Sequence, residues 1–181
     1  NWFSIVGGIA LTLLTYLHGL NYIALKTKGV ISDRAQNYSK ALYWVLYVGE
    51  VIFALLLLFQ TDFLQVHPIL TLLCLILIVG FSVAGHVANF VNKQGWAFFF
   101  SGLTLVSLVA LIFCGLFPRV MISSISSKYD LMIQSASSSN YTLIVMTIAT
   151  IILIPCILAY TIWSYWIFRK RIEMPAIGEG Y

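Results

Sequence analysis

Charge is what this sequence most lacks. Of its 181 residues only 9% are charged, 61% are apolar, and the mean hydropathy is +0.96. A water-soluble domain of this size exposes far more charge, so the composition points to burial in a bilayer. Cysteine is nearly as scarce. Cys74, Cys114 and Cys156 each stand alone in an apolar run, with no CxxC spacing. Zinc and dithiol chemistry need such ligands brought together, so the three read as small packing residues and no metal site is expected. Acid is rarer than base, Asp and Glu numbering 6 against 10 Lys and Arg. The bases lie between apolar runs and not on one face, which argues against nucleic acid as a partner. A secretory leader is not indicated either. Asn1-Trp2-Phe3 is already apolar, with no basic stretch or small-residue cleavage site, and it reads as a chain entered part-way.

What is present is a series of long apolar runs. A bilayer core needs about 20 apolar residues in a helix. Five stretches meet this: Trp2–Leu25, Ala41–Phe59, Ile69–Phe90, Trp96–Phe117 and Tyr141–Phe168. The expected fold is therefore all-α, a polytopic membrane bundle forming a single domain over 1–181. Lys26-Thr27-Lys28-Gly29 closes the first span and Thr61-Asp62 the second. Pro68 suits the start of the third, Asn92-Lys93-Gln94-Gly95 separates it from the fourth, and Pro118-Arg119 ends that one. Ser137-Ser138-Ser139-Asn140 offers caps to the fifth. One set of alternate loops holds Lys26, Lys28, Arg34, Lys40, Lys93, Arg169, Lys170 and Arg171; the other holds only Arg119 and Lys128. Basic loops stay cytoplasmic. The 118–140 loop is thus expected outside and the 169–181 tail inside, anchored by Tyr160, Trp163, Tyr165, Trp166 and Phe168 at the interface.

Small residues let helix backbones approach where lipid supplies no hydrophobic drive between helices. Gly8, Thr12, Thr15 and Gly19 on the first helix, and Ser101, Thr104 and Ser107 on the fourth, mark expected contact faces. Pro155 is expected to kink the fifth helix, because it cannot donate to the carbonyl one turn back.

Four polar residues inside the apolar runs are candidates for chemistry. Glu50 sits near mid-span, about 15 Å from the cytoplasmic end at about 1.5 Å per residue. An ionised carboxylate there is costly, so it is expected to be neutral, paired or in contact with water. His18, about 12 Å from the same end on the preceding antiparallel helix, is placed to pair with it. Such a pair is either a structural hydrogen bond or part of a proton path, and the sequence favours the structural reading. Ser82, Gly85, His86 and Asn89 share one face at i, i+3, i+4, i+7 spacing. His86 there suits an interhelical hydrogen bond better than a heme or metal. His67, before Pro68, reads as a solvated turn residue.

Several segments carry a resemblance. Leu116-Phe117-Pro118-Arg119-Val120-Met121-Ile122-Ser123-Ser124, then Ala136-Ser137-Ser138-Ser139-Asn140-Tyr141-Thr142-Leu143 and Val145-Met146-Thr147, followed by Pro155, Tyr160, Ile162-Trp163-Ser164-Tyr165-Trp166 and Arg169, resemble subunit II of bacterial cytochrome bd quinol oxidases. His18-Gly19-Leu20-Asn21-Tyr22, Leu25-Lys26-Thr27-Lys28-Gly29 and Arg34-Ala35 look like the same family. The resemblance covers Thr15 to Ile172 and corresponds to the C-terminal half of that subunit, a four-helix bundle plus one helix. It implies a multi-pass protein of the bacterial cytoplasmic membrane, in a terminal oxidase of the respiratory chain that oxidises quinol, reduces oxygen to water and generates a proton gradient. The b-type hemes and heme d would lie in partner subunit I, with none on this chain. Lipid, a structural quinone and small single-helix accessory subunits are further expected companions. The acidic residue and tryptophan that the family links to proton or oxygen routes belong to its N-terminal half, so no catalytic residue is carried over. The candidates for an intramembrane polar or proton-path role remain Glu50, His18, His86 and Asn89. A proton-coupled secondary transporter half, using Glu50 and His86, is the alternative. Against it, the helices lack paired midplane Gly/Pro breaks.

Overall fold

The computed structural model describes residues 2–123 and 125–170, which fall into two compact units, 2–115 and 116–170. Ser124, Arg171 and the remainder of the expected 169–181 tail beyond it lie outside the described residues.

The first unit is built on α1 (Trp2–Lys26), α2 (Val30–Gln60), the single turn α3 (Phe63–Val66), α4 (Pro68–Phe90) and α5 (Gln94–Leu116). Its four long helices, and α7 (Asn140–Ile167) of the second unit, are each long and apolar enough to cross a membrane. The chain is thus an all-α multi-pass membrane protein. Pro68 opens α4 at the position where its missing N–H costs nothing.

Two boundaries differ from the hydropathy reading. α2 starts at Val30, well before the expected Ala41, because Gly29 at φ +69° turns the chain directly from α1. A helix of 31 residues is about 46 Å long, and the hydrocarbon layer is about 30 Å thick. Its polar first turns therefore continue the helix beyond the apolar layer, where hydropathy cannot detect it. They pack against α1 all the same: Ser32 Oγ donates to the Ala24 carbonyl at 3.0 Å. The second difference is a tighter α4–α5 turn. Asn92 takes the left-handed conformation at φ 58°, Lys93 N–H donates to the Ala88 carbonyl at 2.9 Å and Asn92 N–H to the Asn89 carbonyl at 3.2 Å. This is a Schellman motif with Asn at its left-handed position. It frees Gln94 and Gly95 to join α5.

Burial is inverted relative to a soluble domain. Asn21, Ser39, Asn89 and Thr104 are at most 1% exposed, whereas Phe59 is 83% and Phe113 69% exposed. Lipid accepts apolar side chains but satisfies no polar ones, so hydrogen-bonding groups turn inward and pair. The Ser101, Thr104 and Ser107 face of α5 is buried as expected. The Gly8, Thr12, Thr15 and Gly19 face of α1 is not covered among the described residues. Thr12 and Thr15 turn their hydroxyls onto the Gly8 and Leu11 carbonyls of their own helix. The buried face of α1 is Leu14, Leu17, Leu20, Asn21 and Ala24 instead.

The second unit replaces the expected 118–140 loop with ordered structure. Strand β1 (Arg119–Met121) pairs antiparallel with β2 (Leu131–Met132), a 3-10 turn at Ser127–Tyr129 lies between them, and α6 (Ile133–Ala136) follows. Asp130 ties the hairpin together, accepting from Ser123 N–H at 2.8 Å and lying 3.6 Å from Arg119 Nη1. Ser139 caps α7 (Asn140–Ile167), accepting from Thr142 N–H at 3.4 Å. α7 runs unbroken through Pro155, and none of its residues is buried.

Candidate functional site

The polar residues of the first unit gather along the α2–α4 seam. α2 contributes Ser39, Tyr43, Tyr47 and Glu50 at spacings of four, four and three, which keeps them on one face. α4 contributes Asn89, His86, Gly85 and Ser82, the four-residue face read from the sequence, and all four are buried. Because the helices are antiparallel, these residues meet as successive rungs.

The first rung is the most enclosed. Asn89 Nδ2 donates to Ser39 Oγ at 2.8 Å, and Ser39 Oγ donates to Asn21 Oδ1 at 2.7 Å. Asn21 Nδ2 donates to the Tyr43 hydroxyl at 3.2 Å and lies 3.5 Å from the Ala97 carbonyl. One connected set thus joins α1, α2, α4 and α5. The next rung is aromatic. His86 stacks on Tyr43 with ring centroids 4.6 Å apart, and its Nδ1 lies 2.8 Å from the Tyr47 hydroxyl. Gly85 makes this possible, since a Cβ there would lie 2.7 Å from the Tyr43 hydroxyl. The last rung is Glu50. Ser82 Oγ lies 3.2 Å from Glu50 Oε2 and 3.0 Å from the Val79 carbonyl, so one hydroxyl proton is shared between two acceptors. Glu50 Oε1 and His86 Nε2 are buried without a hydrogen-bond partner.

His18 does not pair with Glu50. Its Nδ1 lies 2.8 Å from Ser101 Oγ on α5, and its ring stacks on Phe98 at 4.4 Å. The antiparallel register, with Phe3 at Gln60 and Asn21 at Ser39 and Tyr43, sets Glu50 beside Ala10, Leu13 and Leu14 and not at the depth of His18, while rotation about the α1 axis turns His18 to α5 and Asn21 to α2. His67 is half-buried at the start of α4, its carbonyl accepting from Thr71 N–H. The cysteines are free: Cys74 buried, Cys114 half-buried, and Cys156 exposed on α7. Among the described residues no three His, Cys, Asp or Glu side chains converge as a metal site would require.

Asn21, Ser39 and Tyr43 are the members of this network that sequence reading missed. A signal existed: Ser32, Ala35, Gln36, Ser39, Tyr43 and Leu46 recur at three- and four-residue steps, a stripe running from outside the apolar run into it. Averaging hydropathy over a window erases it.

Residues 1–168 match the family model for cytochrome bd terminal oxidase subunit II. Subunit 2 of the cytochrome bd ubiquinol oxidase of Bacillus subtilis is 41% identical over 173 residues, covering 96% of this chain and 51% of that protein. The cytochrome bd-I ubiquinol oxidase subunit 2 of Escherichia coli K12 is 43% identical over 89 residues, covering 49% of this chain and 24% of that protein. A probable cytochrome oxidase subunit 2 of Haemophilus influenzae is 26% identical, over 99% of this chain and 55% of that protein. The chain spans about half the length of the longest-matching of these relatives.

Proposed function

This chain belongs to the cytochrome bd terminal oxidase subunit II family, and from that premise we propose that it is the C-terminal membrane bundle of the subunit that supports, and does not itself perform, quinol oxidation and oxygen reduction. The observation that carries the proposal is the family match across all five apolar helices. The complex would oxidise quinol, reduce oxygen to water and generate a proton gradient across the bacterial plasma membrane. Its partner is a heme-bearing subunit I.

Among the described residues, His86 does not fit an axial heme ligand. His86 Nε2 is enclosed by protein, and its ring is packed on Tyr43 and edged by Trp44, with centroids 4.6 and 5.6 Å away. A heme would have to displace those rings. His18 is held toward α5 by Nδ1 on Ser101 and by stacking on Phe98. This supports placing the b-type hemes and heme d in the partner. The bundle's own work is to present a rigid surface, with Asn21, Ser39, Asn89, His18 and His86 fixing helix rotation through hydrogen bonds. The transporter reading is not favoured, since the family match runs through the helices that would have carried it.

The basic asymmetry of the loops supports an orientation with the Thr27–Gly29 and Val91–Lys93 turns and the end of α7 in the cytoplasm, and the β1–β2 hairpin outside. Membranes of a strain lacking this subunit provide the test of function. They are expected to lose quinol-driven oxygen uptake by this oxidase and regain it with the full-length gene. Undiminished uptake, with subunit I present and no other oxidase active, would count against the proposal.

A further inference from the structure

Beside Glu50, among α1, α2, α4 and α5, lies a cavity of about 110 Å³. Leu14, Phe53, Ile78 and Leu108 give it mostly apolar walls, with Thr104 and Glu50 as the side chains that carry oxygen. Purely apolar cavities stay dry, whereas water enters where two or more polar groups hold it, each molecule needing about 30 Å³. Both conditions are met here. Glu50 Oε1 is buried and unpartnered, and Oε2 has only a share in the Ser82 proton. Thr104 Oγ1 donates to the Phe100 carbonyl at 2.9 Å, which leaves its lone pairs open to a donor. The terminal torsion of glutamate is soft, so a modest turn of the carboxyl group presents Oε1 to the cavity. Among the described residues Glu50 has no ion-pair partner, and an unpaired carboxylate at this depth is costly.

We propose that this cavity is an internal water site and that Glu50 is its proton-holding wall, an uncharged carboxylic acid hydrogen-bonded to water at the middle of the membrane. The seam also sets the direction in which that proton exchanges. From Glu50 toward the Thr27–Gly29 turn, the α2–α4 seam carries Tyr47 with His86, Tyr43, and then Ser39 with Asn89 and Asn21. Toward the opposite end the buried residues are mostly apolar, Phe53, Leu57, Phe63 and Leu111 among them, and of the two buried hydroxyls there, Ser107 and Thr71, the latter is committed to the Phe63 carbonyl at 3.1 Å. Exchange with bulk water therefore runs along the polar half of the seam. None of this depends on the oxidase reading.

Infrared spectroscopy of the full assembled protein in H2O and D2O tests it. A protonated-carboxyl C=O band is expected, lost in Glu50→Gln and shifted down on deuteration. Ala54→Leu fills the cavity from one wall and should move the band up, toward an acid without hydrogen bonds. Thr104→Val, nearly isosteric, should shift it in the same direction and serves if Ala54→Leu does not fold. Tyr47→Phe should keep the band but slow its deuteration severalfold. Absence of any Glu50 band, or a band indifferent to both cavity variants, would overturn the water site. Unchanged deuteration in Tyr47→Phe would overturn the exchange route. No readout uses heme or turnover, so failure here is distinguishable from failure of the oxidase assignment.

Discussion

Asn21 holds more of the bundle than either of the histidines that first draw the eye. Its amide joins Ser39 and Tyr43 and reaches the Ala97 carbonyl, and it is only 1% exposed. Asn21→Ala takes a partner from both of those buried side chains, and a buried group left unsatisfied costs about 1–3 kcal/mol. Membrane-protein couplings average about 0.6 kcal/mol, which puts the expected loss at the lower end of that range. Denaturation of the purified protein in mixed detergent measures it; Asn21→Ala matching wild type would show the network to be incidental. The histidines lead to a different expectation. His18→Phe and His86→Phe should leave every heme band of the oxidase in place, and selective loss of one band with normal assembly would make that histidine a ligand. The sequence made Glu50, His18, His86 and Asn89 visible because a polar residue in an apolar run stands out by itself. It did not reveal their partners, because partners follow from helix rotation, and rotation is set by many weak packing contacts at once.

At the scale of the helix, apolar length and most helix ends were legible, and the starts of α2 and α5 were not. α2 extends beyond its apolar stretch because Gly29 and the polar turns after it form helix in water or headgroups as readily as in lipid. The small face of α5, Ser101, Thr104 and Ser107, is buried as expected, whereas Gly8, Thr12, Thr15 and Gly19 of α1 meet no covering helix among the described residues. Gly85, by contrast, is required by contact. Its missing Cβ accommodates the Tyr43 hydroxyl, and overpacking a tight core costs about 1–3 kcal/mol. Gly85→Ala should lower stability by about that amount and be relieved by Tyr43→Phe, which removes the clashing oxygen. A Gly85→Ala protein as stable as wild type would contradict the seam geometry. Asn92 is a milder case: Asn92→Ala places an ordinary residue in the left-handed region at a cost of about 1 kcal/mol, while Asn92→Gly should be nearly neutral.

For the molecule as a whole, two expectations rest on different physics. Orientation follows from the loop charges, and it predicts that a single cysteine at the exposed Ile125 reacts with a membrane-impermeant reagent from outside only. Reaction from the cytoplasmic side alone would invert the topology. Function follows from kinship, and the hydrogen bonds of the seam hold the helices together. The central claim is therefore that this chain works beside a heme-bearing partner. Gentle purification of the full-length protein through a tag on this subunit, followed by its reduced-minus-oxidised visible spectrum, tests this most directly. Bands of b-type and d-type heme are expected to co-purify with the tag and to survive replacement of both His18 and His86. A stable, correctly inserted protein that carries no second subunit and no heme bands would contradict it.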